Sequence, residues 1–260
     1  MNIVVCIKQV PDTTEIKLDP VKGTLIRDGV PSIMNPDDKG GLEFALRLKD
    51  KYGANVTVVS MGPPQAEAIL REAYAMGVDR AILLSDRKFG GADTLATSNT
   101  IAAALRKLDY DIIITGRQAI DGDTAQVGPQ IAEHLGLPQV TYAEELTYDG
   151  KNTFTVRKQD EEGYQICEVD APCVVTALAS GVKPRYMSVR GIVEAFDKPV
   201  EVWGFDDIDV DPAKIGLSGS PTRVARSFAK GMKAPGQLYE VEPNEAVELI
   251  ISKLREKFII

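Results

Sequence analysis

Residues 56–84 read VTVVSMGPPQAEAILREAYAMGVDRAILL, and this stretch decides the fold class. It opens on an apolar run at 56–60 and closes on another at 81–84, and such runs suit strands covered on both faces. Between them, 66–76 carry a helical pattern, and Gly77 follows where a left-handed residue ends a helix at low steric cost. The unit repeats in both directions. Residues 2–7 and 112–115 are further apolar runs, and helical stretches hold Leu42, Phe44, Ala45, Leu46 and Leu48, then 94–108, then 126–135. Gly53 and Gly136 again sit just past helical stretches. The repeating order predicts an α/β fold with a doubly wound, mostly parallel sheet of the Rossmann-like kind.

After Leu137 the pattern changes to strand-like segments at 140–146, 154–158, 164–169 and 173–178, with Asp149 and Gly150 marking a turn, which predicts hairpin-like strands extending the sheet. Residues 180–236 are rich in Gly, Pro, Asp and Ser, and so long a segment of low regularity suits an extended arm lying on another surface. Residues 243–257 read as an amphipathic helix: Val247, Leu249, Ile250, Ile251 and Leu254 are apolar, with Glu245 and Glu248 early and Lys253, Arg255 and Lys257 late. The expected organisation is therefore an α/β domain over 1–182, an extended segment over 183–236, and a C-terminal helix over 237–260 that needs a surface to pack on.

A chain of 260 residues with 44% hydrophobic content is large enough for a sizeable core. Its net charge of −8 argues against nucleic acid or an anionic membrane surface as the main partner, since both need a basic face. The three cysteines, Cys6, Cys167 and Cys173, lack CxxC spacing and fall in strand-like segments, so they read as small buried hydrophobes rather than a disulfide or zinc framework. No charged-then-apolar leader precedes Ile3 and no apolar run approaches the roughly 18 residues that span a bilayer, so a cytoplasmic protein is expected.

Ligands of open α/β sheets bind outside the carboxyl ends of the strands, which draws attention to Cys6, Ile7 and Lys8 after the first apolar run. Lys8 suits a phosphate or a reduced flavin, or is simply solvated. Neither GxGxxG after the first strand nor GxxxxGK[ST] is present, which disfavours an ordinary nicotinamide dehydrogenase or ATPase. The strongest local feature is GRQAIDGDTAQVGP at 116–129, directly after a strand. Gly116 and Gly122 let backbone approach a ligand, and Asp123 or Thr124 can cap the following helix while its amides face an anion. A capped loop without ligand explains the same pattern. Asp121 and Asp123 beside Arg117 make a poor metal site, and Asp207, Asp209 and Asp211 imitate a calcium loop but meet Pro212 where Gly is needed, so no metal is expected. His134, the only histidine, has no nucleophile nearby and reads as structural, so no catalytic side chain is assigned.

Together these segments resemble the beta subunit of electron-transfer flavoproteins over nearly the whole chain: IVVCIKQVPDT, GVPSIMNPDD, VVSMGPPQAEAILREAYAMGVDRA, GRQAIDGDTAQVGPQIAEHLGLP, PRYMSV and the signature VRKQDEEGYQICEVDAPCVVT. Cys167 departs from the usual aliphatic residue of that signature but packs much like one. The resemblance implies a nucleotide held by Cys6, Ile7 and Lys8, by Asn35 and Asp38, by Ser60, Met61 and Gly62, and by Gly116, Arg117, Gln118, Asp121, Gly122, Asp123, Thr124, Ala125, Gln126 and Val127. The ordinary branch carries a structural AMP there. The loop wording is similar to that of the branch found with flavin-based electron bifurcation, which implies FAD that accepts a hydride from NADH. The tail is implied to embrace the larger, flavin-binding alpha subunit of a heterodimer. Tyr186, Met187, Val189 and Arg190 match the family's recognition loop, which implies that Val189 docks in a pocket of an acyl-CoA dehydrogenase. A stand-alone adenine-nucleotide sensor also accounts for the loops, but leaves the arm and terminal helix without purpose.

Overall fold

The computed structural model describes residues 1–12, 17–18, 25–26, 31–222 and 236–260. It divides into two units, Met1–Ser227 and Phe228–Ile260. The first unit begins with strand β1 (Asn2–Cys6), then β2 (Gln9–Pro11), the two-residue strands β3 (Lys17–Leu18) and β4 (Leu25–Ile26), and β5 (Ser32–Met34). Helix α1 (Pro36–Tyr52), β6 (Asn55–Met61), α2 (Glu67–Met76), β7 (Arg80–Leu84), α3 (Thr94–Leu105), β8 (Ile112–Gly116) and α4 (Val127–Leu135) follow. Next come β9 (Gln139–Tyr148), β10 (Thr153–Asp160), β11 (Gly163–Asp170), β12 (Cys173–Ala177), α5 (Val189–Ala195) and β13 (Val200–Trp203). Helix α6 (Pro243–Glu256) lies in the second unit.

Nine strands form one sheet in the order β11-β10-β9-β12-β8-β1-β6-β7-β13. Every pairing from β9 across to β13 is parallel, and β9-β10-β11 is an antiparallel meander. The continuous apolar runs are explained by burial on both faces: Ile3 and Val5 join one core with Leu42, Leu46 and Leu70, while Val4 and Cys6 join the other with Leu105 and Ile131. Gly53 and Gly136 end α1 and α4 at φ 68° and 65°, the left-handed region that costs glycine nothing.

Two expectations are corrected. Residues 173–177 do not extend the sheet as an outer hairpin strand. After the meander the chain returns, and β12 inserts between β9 and β8, parallel to both and buried at all five positions. The unbroken apolar text Cys-Val-Val-Thr-Ala fits an interior parallel strand. Residues 183–222 are also more regular than an arm: α5 packs beside α2, β13 covers the edge of β7, and Ile208 and Ile215 are buried in the second core. A sheet edge that would otherwise expose its hydrogen-bonding groups rewards even a four-residue strand. Residues 223–235 of the expected arm lie outside the described residues.

Candidate nucleotide site at the strand ends

The chain leaves β1 for β6 on one side and later returns to β8 on the other, so the carboxyl end of β1 is the point where the winding direction reverses and a crevice opens. The first turn of α1 builds the floor of that crevice. Asn35, fully buried, donates from Nδ2 to the Gln118 carbonyl at 2.8 Å and accepts the Ile120 amide at 3.1 Å, while its own amide donates to the Lys8 carbonyl. Asp38 accepts the Lys8 amide at 2.7 Å through Oδ2 and the Gly116 amide at 2.9 Å through Oδ1, which ties the ends of β1 and β8 together. Burial pushes the Asp38 carboxyl up to about 7, against the opposing pull of its hydrogen bonds. Asp37 accepts the Ala179 amide at 2.8 Å, just beyond β12, and its other oxygen lies 3.3 Å from Arg117 Nε. The segment from Asn35 to Asp38 was expected only from the family resemblance; Pro36 at the first helical position followed by two acids was the available local signal.

The loop after β8 carries most of the predicted residues. Gly116 admits no side chain, because a Cβ would lie 2.2 Å from Asp38 Oδ1. Gly122 differs: a Cβ there would meet nothing within 4 Å, so its backbone is open to a ligand. Asp123 and Ala125 hold φ values of 50° and 52°, unusual for residues with side chains. The expected cap is corrected here. Neither Asp123 nor Thr124 caps α4, which starts after Gln126 and has no side-chain cap; Asp123 instead accepts a hydrogen bond from Gln118 Nε2 at 2.9 Å. The left-handed turn at Asp123 and Ala125 sends the chain away before a side chain can fold back over the helix. The first amides of α4 are therefore left without a side-chain acceptor, a setting that attracts anions. Gln126 Oε1 accepts the Thr94 hydroxyl at 2.7 Å.

Lys8 pairs with Asp121 at 2.6 Å, linking the end of β1 to the loop. Cys6 is a buried packing residue whose thiol burial pushes up to about 12, and Ile7 is buried in the α1 core. On the next strand, Ser60 is 1% exposed and among the described residues its Oγ has no hydrogen-bond partner, an uncommon state for a buried hydroxyl. Met61 and Gly62 follow, with the Gly62 amide donating to the Leu84 carbonyl. His134 lies 3.0 Å from Ser98 Oγ, and burial and Arg106 lower its pKa, so it tethers α4 to α3 as a neutral ring. Among the described residues no group of three or more His, Cys, Asp or Glu could hold a metal ion, and no helix is long and apolar enough to cross a membrane.

Residues 22–208 match the electron transfer flavoprotein domain. The chain belongs to the electron transfer flavoprotein family, as a beta subunit. It is 62% identical to the electron transfer flavoprotein subunit beta of Clostridium acetobutylicum, with both chains covered in full. It is 52% identical to the caffeyl-CoA reductase-Etf complex subunit CarD of Acetobacterium woodii, again over the full length of both. With the acryloyl-CoA reductase electron transfer subunit gamma of Anaerotignum propionicum it shares 46% identity over all of each chain.

A second surface of this beta subunit gathers the other predicted residues. Arg185 donates to Glu43 through Nε at 2.9 Å and to Asp50, fixing the start of the segment on α1. Ser188 caps α5 by accepting the Gly191 amide at 2.9 Å. A Cβ on Gly191 would lie 2.5 Å from the Ala75 carbonyl, so α5 sits flush on α2. From this anchored base Tyr186 and Val189 project at 86% and 81% exposure, Met187 is partly exposed, and Arg190 pairs with Glu194. Val193 and Phe196, which the sequence reading passed over, extend the exposed apolar ridge along α5.

Proposed function

We propose that this beta subunit binds FAD in the strand-end crevice and, as a heterodimer with an alpha subunit in the cytoplasm, carries electrons from NADH to an acyl-CoA dehydrogenase by flavin-based bifurcation. The observation that carries the reading is the donor set at one level of three neighbouring strands. It comprises the unpartnered Ser60 hydroxyl on β6, the Lys8 end of β1, and the uncapped amides of α4 behind the open backbone of Gly122 after β8. These groups fit a nucleotide: a buried hydroxyl for a sugar or base, and backbone donors for a phosphate chain. Asn35, Asp37 and Asp38 would hold the ends of β1, β8 and β12 in place and would not need to touch the ligand. Bound FAD would supply hydride acceptance from NADH and onward transfer of two electrons along separate routes; the chain's residues bind, orient and exclude water.

The partner reading rests on the anchored ridge around Val189, and it is supported by two relatives named for a caffeyl-CoA reductase-Etf complex and an acryloyl-CoA reductase. The same crevice would hold AMP in a non-bifurcating form. The test is cofactor analysis of the heterodimer purified from cells. Two FAD per dimer supports the proposal, one FAD with one AMP assigns the ordinary form, and a crevice without nucleotide refutes both.

A further inference from the structure

Tyr142 adopts φ 61° within β9, a left-handed conformation that a bulky side chain rarely takes inside a strand. The cause is a bulge. Val140 pairs with Val175 and Ala143 with Ala177, so Thr141 and Tyr142 together face the single residue Thr176. The Tyr142 amide donates to the Thr176 hydroxyl at 3.1 Å, and Thr176 is buried. The bulge lies level with the crevice, because Thr176 pairs with Thr115 and Ala177 with Gly116 at the end of β8. Its effect is to place the Tyr142 ring with its centroid 5.8 Å from the Arg117 guanidinium carbon.

Arg117 is held on its other sides too. Its amide donates to the Ala177 carbonyl at 2.8 Å, and its Nε lies 3.3 Å from Asp37 Oδ2 without the alignment of a hydrogen bond. Among the described residues its guanidinium donates no hydrogen bond. A cation braced by a ring and a carboxylate, with its donors unspent, beside a crevice edged by helix amides, is set up to receive an anion.

We propose that Tyr142 is a positioning residue: the bulge at 141–142 holds its ring against Arg117, which presents the guanidinium to the phosphate chain of the nucleotide. The inference rests on the nucleotide reading above. Glycine would suit the backbone better at this position, so a tyrosine there points to a use for its ring.

The test uses the heterodimer freed of exchangeable nucleotide, titrated with ADP and with adenosine; binding by the partner subunit is common to all variants and cancels. Tyr142→Gly should weaken ADP binding about fivefold and leave adenosine within about twofold, while its nucleotide-free melting temperature stays level or rises. Tyr142→Phe should keep ADP affinity within about twofold, since the ring is retained. Arg117→Gln should weaken ADP about tenfold, and adding Tyr142→Gly to it should cost nothing further. Unchanged ADP affinity in Tyr142→Gly, an equal loss for adenosine, or a lower melting temperature would each overturn the inference. Wild-type protein that binds neither ligand would overturn the nucleotide reading and this inference with it.

Discussion

Gly116 and Gly122 stand six positions apart in one loop, and the structure predicts opposite consequences for filling them. In Gly116→Ala the new methyl would lie 2.2 Å from Asp38 Oδ1 and 2.8 Å from the Asp38 amide, both part of the first turn of α1 and therefore unable to give way cheaply. The clash costs about 1 to 3 kcal/mol as overpacking, and weakening the hydrogen bond from the Gly116 amide to the buried carboxylate adds about 1 kcal/mol. A loss of about 2 to 4 kcal/mol in a unit of this size lowers the melting temperature by roughly 5 to 15 °C. Nucleotide retention should fall as well, because β1 and β8 separate at the crevice. In Gly122→Val nothing lies within 4 Å of the added Cβ, so stability should stay within about 0.5 kcal/mol while retention falls through lost backbone approach. Calorimetry and nucleotide content of the two purified heterodimers test the pair together. Wild-type stability in Gly116→Ala, or wild-type nucleotide content in Gly122→Val, would refute the reasoning for that position.

Val189→Asp should leave assembly and flavin content intact, since the residue is 81% exposed, and weaken the encounter with the dehydrogenase at least about tenfold, from lost apolar burial of about 1.5 kcal/mol and the desolvation of a carboxylate. The dependence of partner reduction rate on partner concentration reads this, and an unchanged dependence rules out Val189 as an anchor. Asp38 keeps its proton to about pH 7 in the folded chain but not in the unfolded one, so between about pH 4 and 7 the unfolded state binds fewer protons and stability falls as pH rises. Melting curves of wild type against Asp38→Asn should therefore converge or cross over that window, and parallel curves would show that Asp38 is ionised throughout. Leu238, Val247, Ile250, Phe258 and Ile259 are exposed, so the chain made without its alpha subunit should aggregate and a version lacking 237–260 should not. A monodisperse full-length chain would refute a partner-covered α6.

Much of the fold was legible because burial on both faces leaves its mark one residue at a time. The runs at 2–7, 56–60, 81–84 and 112–115 became β1, β6, β7 and β8, and Gly53 and Gly136 closed their helices as expected. The strand 173–177 was equally visible, yet its neighbours were not, because pairing is decided by contacts more than thirty residues away in β9 and some sixty away in β8. Strand β13 gave little local signal, since a four-residue edge strand draws its order from β7.

The site divides along the same line. From its residues alone the chain declared a strand-end crevice near Lys8 and the loop that begins at Gly116, because strand ends and glycines act locally, while Asn35 and Asp38 came only from the resemblance to the family. It could not declare that Asp38 bridges Lys8 to Gly116, that Asp123 turns to Gln118 rather than to α4, or that a bulge aims Tyr142 at Arg117. Those facts depend on which strand ends lie side by side. Local chemistry sets which groups are available, and only tertiary packing sets which of them meet.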